Sequence, residues 1–311
     1  MTHEIIIDEA IRDAKSITHK HILSIINTKL KEKSEKHPIR ILDAGCGSCE
    51  LIAYLETFIP KFNEGLPVKV YGFDVFDSRI QFSDFYDKAS QMLSKRFGHI
   101  NWESRLKIVS SIEPWPFEDE SFDIVVSNQV VEHVQDHDYF FSQNRRVLKN
   151  KGFSVHLFPV KNYIVEGHVY LPFVHRFNQW NSLYRSIKIL SALRMGKWKH
   201  ISGKCTLDEF SKNYADLLTY YCNYVSVGDL IRVGKKNGFR TGFNFTGNFY
   251  YEKLKEIFKI KHRFLYKKEN SHTLSIHIFK YIQGITLFLE KITSFNNYIS
   301  KYVLTKNDNQ I

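Results

Sequence analysis

Apolar residues recur at helical spacing over residues 5–34 (Ile7, Ile11, Ala14, Ile17, Ile22, Ile25, Ile26), which predicts an amphipathic helix or a pair of them. Glu35-Lys36-His37-Pro38 breaks the pattern, and a short apolar run at 39–42 reads as a buried strand entering Asp43-Ala44-Gly45-Cys46-Gly47-Ser48-Cys49. A helix over 51–58, stopped by Pro60, leads to a second strand at 68–73 that ends at Asp74. A helical stretch at 78–97, strands at 106–109, 122–127 and 153–158, and a helix at 137–149 continue the alternation. Strands alternating with helices at this spacing predict an α/β fold with a doubly wound parallel sheet. Regularity lapses over 160–204, a length of loop that argues a lid or substrate wall. Helical pattern returns at 206–220 and 227–237. Residues 239–245 and 273–279 alternate as closing strands, the last one antiparallel, and 282–300 reads as a C-terminal helix.

The chain divides on this reading into an N-terminal helical segment (1–37), an α/β core (38–159), an inserted lid (160–204), the remainder of the core with a basic insertion near 250–268 (205–281), and a C-terminal helix and tail (282–311). Its 311 residues are 43% hydrophobic and 25% charged, which excludes a mainly disordered chain. No apolar run reaches the roughly 18–20 residues that span a bilayer. Residues 1–15 are acidic and lack the basic, apolar and cleavage regions of a secretion signal, so a cytoplasmic protein is expected. Four cysteines (Cys46, Cys49, Cys205, Cys222) are too few and scattered for a disulfide scaffold. The net charge of +11 is uneven: residues 1–150 carry 19 Lys and Arg against 23 Asp and Glu, whereas 151–311 carry 25 against 10. The second half therefore either meets something anionic or is a solvated lysine-rich surface.

The strongest chemical signal is Asp43-Ala44-Gly45-Cys46-Gly47. A strand entering a glycine turn lets the backbone approach a ligand closely, and the helix that follows offers unpaired N–H groups to an anionic group. Asp74, at the end of the next strand, is placed to accept from a ribose diol. The dinucleotide fingerprint would need Gly at position 50, where the chain has Glu50. An acid two positions before the first Gly, together with Gly72-Phe73-Asp74, Pro116-Phe117-x-Asp119-x-Ser121-Phe122-Asp123 and Val131-Glu132-His133-Val134, resembles the class I S-adenosylmethionine-dependent methyltransferases, most closely their type 11, small-molecule branch.

The resemblance covers about residues 38–158. It implies a seven-stranded, mostly parallel, Rossmann-like sheet with an inserted lid and a C-terminal helical extension, and S-adenosyl-L-methionine as cofactor. Asp43, Gly45 and Gly47 would hold its methionine part and Asp74 its ribose, with Val75 or Phe76 beside the adenine. Ser111 and Ile112 would lie near the adenine amino group, and Asn128 and Gln129 at the methionine end. The chain departs from the family pattern at Cys49, where a third turn glycine is usual, and at Ser111, where an acid is usual. Cys46-Gly47-Ser48-Cys49 matches C-x-x-C, but the other two cysteines lie sixteen residues apart, and no metal is assigned to them.

Methyl transfer to oxygen or nitrogen needs an aligned acceptor and a group to take its proton. Candidate bases crowd the stretch 166–177: His168 and His175, with Glu166 to orient one of them. The same three side chains could instead form an oxygen/nitrogen metal site or simply pack the lid. His133 is a further candidate base, or a helix-start residue bonded to backbone. The basic, apolar-interleaved stretch 253–264 suits an anionic membrane surface, a phosphate grip, or an amphipathic helix over the sheet. It matches no RNA-binding module. The function expected is methylation of an oxygen or nitrogen on a small, anionic metabolite such as a sugar or nucleotide-linked sugar precursor. The alternatives are an RNA-modifying methyltransferase that grips nucleic acid with its basic half, and a non-catalytic binding protein on a degenerate methyltransferase fold.

Overall fold

The structure, a computed structural model, describes residues 2–32, 37–77, 85–266, 278–282 and 284–293. Five parallel strands form its framework: β1 (Ile39–Ala44), β2 (Val68–Val75), β3 (Leu106–Val109), β4 (Phe122–Asn128) and β5 (Leu148–Pro159). With β8 (Phe239–Gly242) and β9 (Gly284–Lys291) they make a seven-stranded sheet in the order β3-β2-β1-β4-β5-β9-β8, in which only β9 runs antiparallel to its neighbours. The strands read as continuous apolar runs because both faces are covered. Ile41, Ile124, Val126 and Val155 point into one core and Leu42, Val125, Leu287 and Leu289 into the other.

The first core is roofed by α1 (His3–Asp13), α2 (Ile17–Glu32), α3 (Glu50–Phe62) and α4 (Phe85–Arg96). The second lies beneath α5 (His137–Val147) and α9 (Val227–Lys236). The N-terminal pair is integral to the fold: Tyr54 of α3 donates to the Ala10 carbonyl, and His21 of α2 bridges Tyr266 and Thr286 of β9. The strand order reverses between β1 and β4, so the sheet edge opens there into a crevice.

Four expectations need correction. The C-terminal helix at 282–300 is, over its described part, strand β9: Ile285, Leu287 and Leu289 face one core and Phe288 the other, a short apolar run that periodicity alone does not separate from helix. The strand expected at 273–279 falls mostly outside the described residues, and the two described ones, Ile278 and Phe279, are helical. Pro60 does not stop α3, which runs on to Phe62; in the last turn a proline removes one N–H donor and little else. The stretch 160–204 is not irregular. It holds a hairpin of β6 (Val165–Glu166) and β7 (Leu171–Pro172), then α6 (Trp180–Ala192) and α7 (Trp198–Ile201).

These elements share a small core with α8 (Leu207–Tyr220), built from Val169, Leu171, Val174, Leu183, Ile187, Phe210, Ala215 and Leu218. The lid segment expected at 160–204 thus packs together with α8. A capping box opens α8, with Thr206 Oγ1 accepting from the Glu209 N–H and Glu209 accepting from the Thr206 N–H. Helix α10 (Thr246–Ile257) packs on α2 and β9. No helix among the described residues is long and apolar enough to cross a membrane.

Candidate functional site

A cleft of about 890 Å³ opens at the carboxyl ends of β1, β2 and β4. Its floor is the turn after β1. The N–H groups of Gly45 and Cys46 both donate to the Phe73 carbonyl, at 2.9 and 3.0 Å, which ties the turn to β2. Gly45 has φ +79°, and a Cβ there would come within 2.5 Å of a Val130 methyl, so the position needs glycine on both counts. Cys49, where a third glycine was expected, has φ +58° and sits just before α3. The backbone there keeps the left-handed shape that glycine favours, at a cost of roughly 1–2 kcal/mol for a side chain. Cys46 Sγ and Cys49 Sγ lie 3.7 Å apart as free thiols.

Two carboxylates face each other across this turn. Asp74 accepts from the Gly47 N–H at 2.6 Å and from its neighbour Val75 at 2.7 Å, yet burial still raises its pKa. Asp43 pairs in register with Gly72 on one side and Val126 on the other. No donor among the described residues reaches its carboxyl, and burial together with the Asp74 charge pushes it up to about 8.

Val75, Ser111 and Ile112 line the cleft, Phe76 does not, and Ile112 is 85% exposed. The sequence reading missed Asp77, which also lines it and accepts from the Ser110 and Ser111 hydroxyls and the Ser111 N–H at 2.8–3.1 Å. Burial opposes these bonds, but they outweigh it and hold Asp77 below the usual carboxylate range. An acid from the loop after β2 therefore stands against Ser111.

At the other end, Asn128 lines the cleft with a buried Oδ1 that has no partner. Gln129, at φ +58°, spends its side-chain amide on the Leu157 carbonyl. His133 ends a single 3-10 turn, Val131–His133, and also lines the cleft. Its Nδ1 donates to the Tyr221 carbonyl at 2.8 Å, which leaves the lone pair on Nε2. Burial pulls His133 below the usual imidazole range, against that hydrogen bond. His19 of α2, Tyr220 and Tyr221 complete this wall, and none of the three stood out in the sequence.

Of the lid candidates, Glu166 is fully buried, and neither it nor His168 nor His175 lines the cleft. Glu166 accepts from Tyr163 and Tyr224 hydroxyls, His168 Nδ1 and the His168 and Val169 N–H groups, all at 2.7–3.0 Å. Burial alone would raise its pKa; His168, Tyr224 and the Val169 N–H bring it down to about 2. His168 sits behind His133, their ring centroids 5.3 Å apart. His175 is directed elsewhere: its ring stacks on Tyr163 at 4.2 Å and its Nε2 meets the Lys161 carbonyl at 3.3 Å. The structure therefore joins Glu166, His168 and His133 and leaves His175 in the packing of the lid.

The residues present fit S-adenosylmethionine. The buried Asn128 Oδ1 and the buried Asp43 carboxyl are acceptors that a ligand's donor or cation could meet, and Asp74 lines the same cleft near the end of β2. Residues 42–156 match the type 11 family model described as a methyltransferase domain. Among curated proteins none matches the chain. Solved structures with a similar fold include the YcgJ protein of Bacillus subtilis (14% identity over 87% of this chain and 98% of that one, TM-score 0.44). A SAM-dependent methyltransferase of Aquifex aeolicus is 13% identical over 94% and 100% of the two chains, with a TM-score of 0.42. A phosphoethanolamine N-methyltransferase 2 of Haemonchus contortus, in complex with S-adenosyl-L-methionine, is 19% identical over 86% of this chain and 51% of that one, with a TM-score of 0.43. Likenesses this distant carry no argument about an acceptor. The match over 42–156 identifies the segment as a class I, type 11 methyltransferase domain, and S-adenosyl-L-methionine is its cofactor.

Proposed function

From a methyltransferase domain whose cofactor cleft ends at His133, we propose that the chain methylates an oxygen or nitrogen of a small molecule, with His133 as the group that accepts its proton. The observation that carries this is the position of His133: of the four candidate bases it alone lines the cleft, with its lone pair on Nε2. The cofactor, when bound, supplies a methyl group made electrophilic by its sulfonium. The chain's own residues do the rest. Asp43, Gly45, Gly47 and Asn128 hold the methionine end, Asp74 the ribose, and Val75, Asp77, Ser111 and Ile112 the adenine. Gln129 shapes the backbone beside Asn128. Glu166 and His168 are positioning residues that support His133 from behind.

The acceptor pocket also narrows the substrate. Apart from Asp43, Asp74 and Asp77, which the cofactor takes up, Glu50 and Asp136 line the cleft, and its described lining residues include no lysine or arginine. An anionic acceptor such as a sugar phosphate would find no counter-charge there. The better fit is a neutral alcohol or phenol, or an amine, lying against Tyr139, Tyr220 and Tyr221.

Calorimetric titration with S-adenosylhomocysteine, followed by methyl-labelled S-adenosylmethionine offered with pools of alcohols, phenols, amines and phosphorylated sugars, tests the reading. Asp74→Ala should abolish cofactor binding. His133→Gln should keep binding and lower kcat about 10²–10⁴-fold. Absence of cofactor binding, label transferred only to phosphorylated acceptors, or full turnover by His133→Gln would overturn it.

A further inference from the structure

Behind the acceptor wall, the segment 220–224 is stitched to the turn after β4. Asn223 donates its N–H to the Glu132 carbonyl and its side-chain amide to the carbonyls of Val134 and Gln135, at 2.6–3.1 Å. This brings Cys222, from beyond the lid, against His133, with Sγ 3.7 Å from Nδ1. His168 closes the group from the hairpin. One ligand-type atom from each of His133, His168 and Cys222 lies within 4.8 Å of the others, the one such trio found among the described residues.

We infer that His133, His168 and Cys222 form a site for a single divalent cation of the zinc class. The surroundings are those a metal site requires. The Nδ1 of His168 is held by the buried Glu166 at 2.7 Å, so that imidazole presents its Nε2 lone pair in a fixed tautomer, whereas His133 faces Cys222 with the Nδ1 that also meets the Tyr221 carbonyl at 2.8 Å. A carboxylate behind a ligating histidine is the arrangement that orients such a ligand, and a cation beside Cys222 would replace the hydrogen bond from His133 Nδ1, its proton moving to Nε2. Nearby, Glu132 is 1% exposed and its Oε2 has no partner, so a further buried oxygen lies within electrostatic reach of Cys222.

Two nitrogens and a sulfur select zinc over magnesium or calcium, which take oxygen. Bonds of about 2.0–2.3 Å would draw the three atoms together by roughly an ångström, within reach of side-chain rotation. Cys222 would give its thiol proton to solvent on binding. His133 lines the cleft, whereas Cys222 and His168 do not, so the cation site lies behind the cleft wall. This goes beyond the methyl-transfer reading. It also competes with it at one point, since a neutral His133 coordinated through Nδ1 carries its proton on Nε2 and cannot take another there.

The test reads metal binding, not turnover, so that its failure is separate from failure of the proposed activity. The full chain, stripped with a chelator, is titrated with Zn²⁺ against a chromophoric chelator and with Co²⁺ by absorption. One Zn²⁺ per chain and a near-ultraviolet thiolate-to-cobalt band are expected. Cys222→Ser, which keeps the side chain's shape, should abolish the band and weaken Zn²⁺ binding about 100-fold or more. His168→Gln should weaken it similarly, with thermal unfolding used to show that each variant is folded. Cys46→Ser should bind as the parent does. No stoichiometric binding, binding unchanged in folded Cys222→Ser, or binding lost in Cys46→Ser would overturn the inference.

Discussion

Asp43→Asn should change how the cofactor binds with pH. In the free protein the Asp43 carboxyl is buried beside Asp74 with its pKa at about 8, so at pH 7 roughly one molecule in eleven carries the charge that a cationic ligand prefers. At pH 9 about ten in eleven do, so the observed affinity for S-adenosylmethionine gains about tenfold from this group. The ligand's own α-amino group titrates near 7.7–8.0 and acts in the opposite direction. The Asn variant isolates that contribution, because only the ligand then titrates. Calorimetry at pH 7, in two buffers of different ionisation enthalpy, should find more protons released on binding to the parent than to the variant, with about one per site as the upper bound.

Stability carries the same signature with its own sign. A carboxyl whose folded pKa is raised is protonated in the native state while the unfolded chain ionises, so stability falls as pH rises from about 4 to about 8. Asp43→Asn removes that cost, an upper bound on the order of 4 kcal/mol at pH 7, and the ligand-free variant should melt above the parent. Proton release equal in the two proteins, together with an unchanged melting temperature, would show that the carboxyl is already ionised and refute the reasoning.

Gly45→Ala should destabilise by about 2 kcal/mol, from the positive φ and the Val130 contact, and lower Tm by roughly 3 °C; Val130→Ala should restore part of this, and no loss in the single variant would contradict the packing. Glu166→Gln places an NH₂ among five donors and should cost about 2–3 kcal/mol in denaturant unfolding, more than Tyr224→Phe, which removes one donor; equal effects would count against the hub. His156, buried between Ser127 and Asn144, is pulled down to about 3 by burial. The unfolded chain therefore takes up a proton below about pH 6.5 that the native state refuses, and stability should fall by about 2 kcal/mol per such group between pH 7 and pH 5. His156→Gln should flatten that slope by one proton in urea titrations, and an unchanged slope would place the titration elsewhere.

The cofactor half of the site was legible because it is local. Asp43, Gly45, Gly47 and Asp74 lie at strand ends, where a turn of fixed shape demands particular residues within a few positions. The acceptor half was only partly so. Glu166 and His168 stood out as a short motif, but that His133 belongs with them, and His175 does not, depends on how the lid folds back. Tyr220, Tyr221 and Cys222 reach the site through hydrogen bonds to residues some 90 positions earlier, which no spacing reveals. Helix α6 was legible and overlooked: Trp180, Leu183, Tyr184, Ile187 and Ser191 follow helical spacing, hidden by flanking aromatics. Strand β9 was misassigned because eight apolar-rich residues satisfy either period, and its sheet partners, β5 and β8, are distant in sequence.

That strand also sets the order in which a growing chain can complete itself. From Pro159 to Gly284 the ribosome makes well over one hundred residues while the edge of β5 waits for its partner, and β8 emerges before the strand that alone connects it to the sheet. During that interval the nascent protein presents an open row of backbone donors and acceptors beside an uncovered apolar face, the condition in which stalled or shortened chains pair with one another. Chains halted before residue 284 should therefore need chaperone protection even though every residue of the glycine turn has already been made.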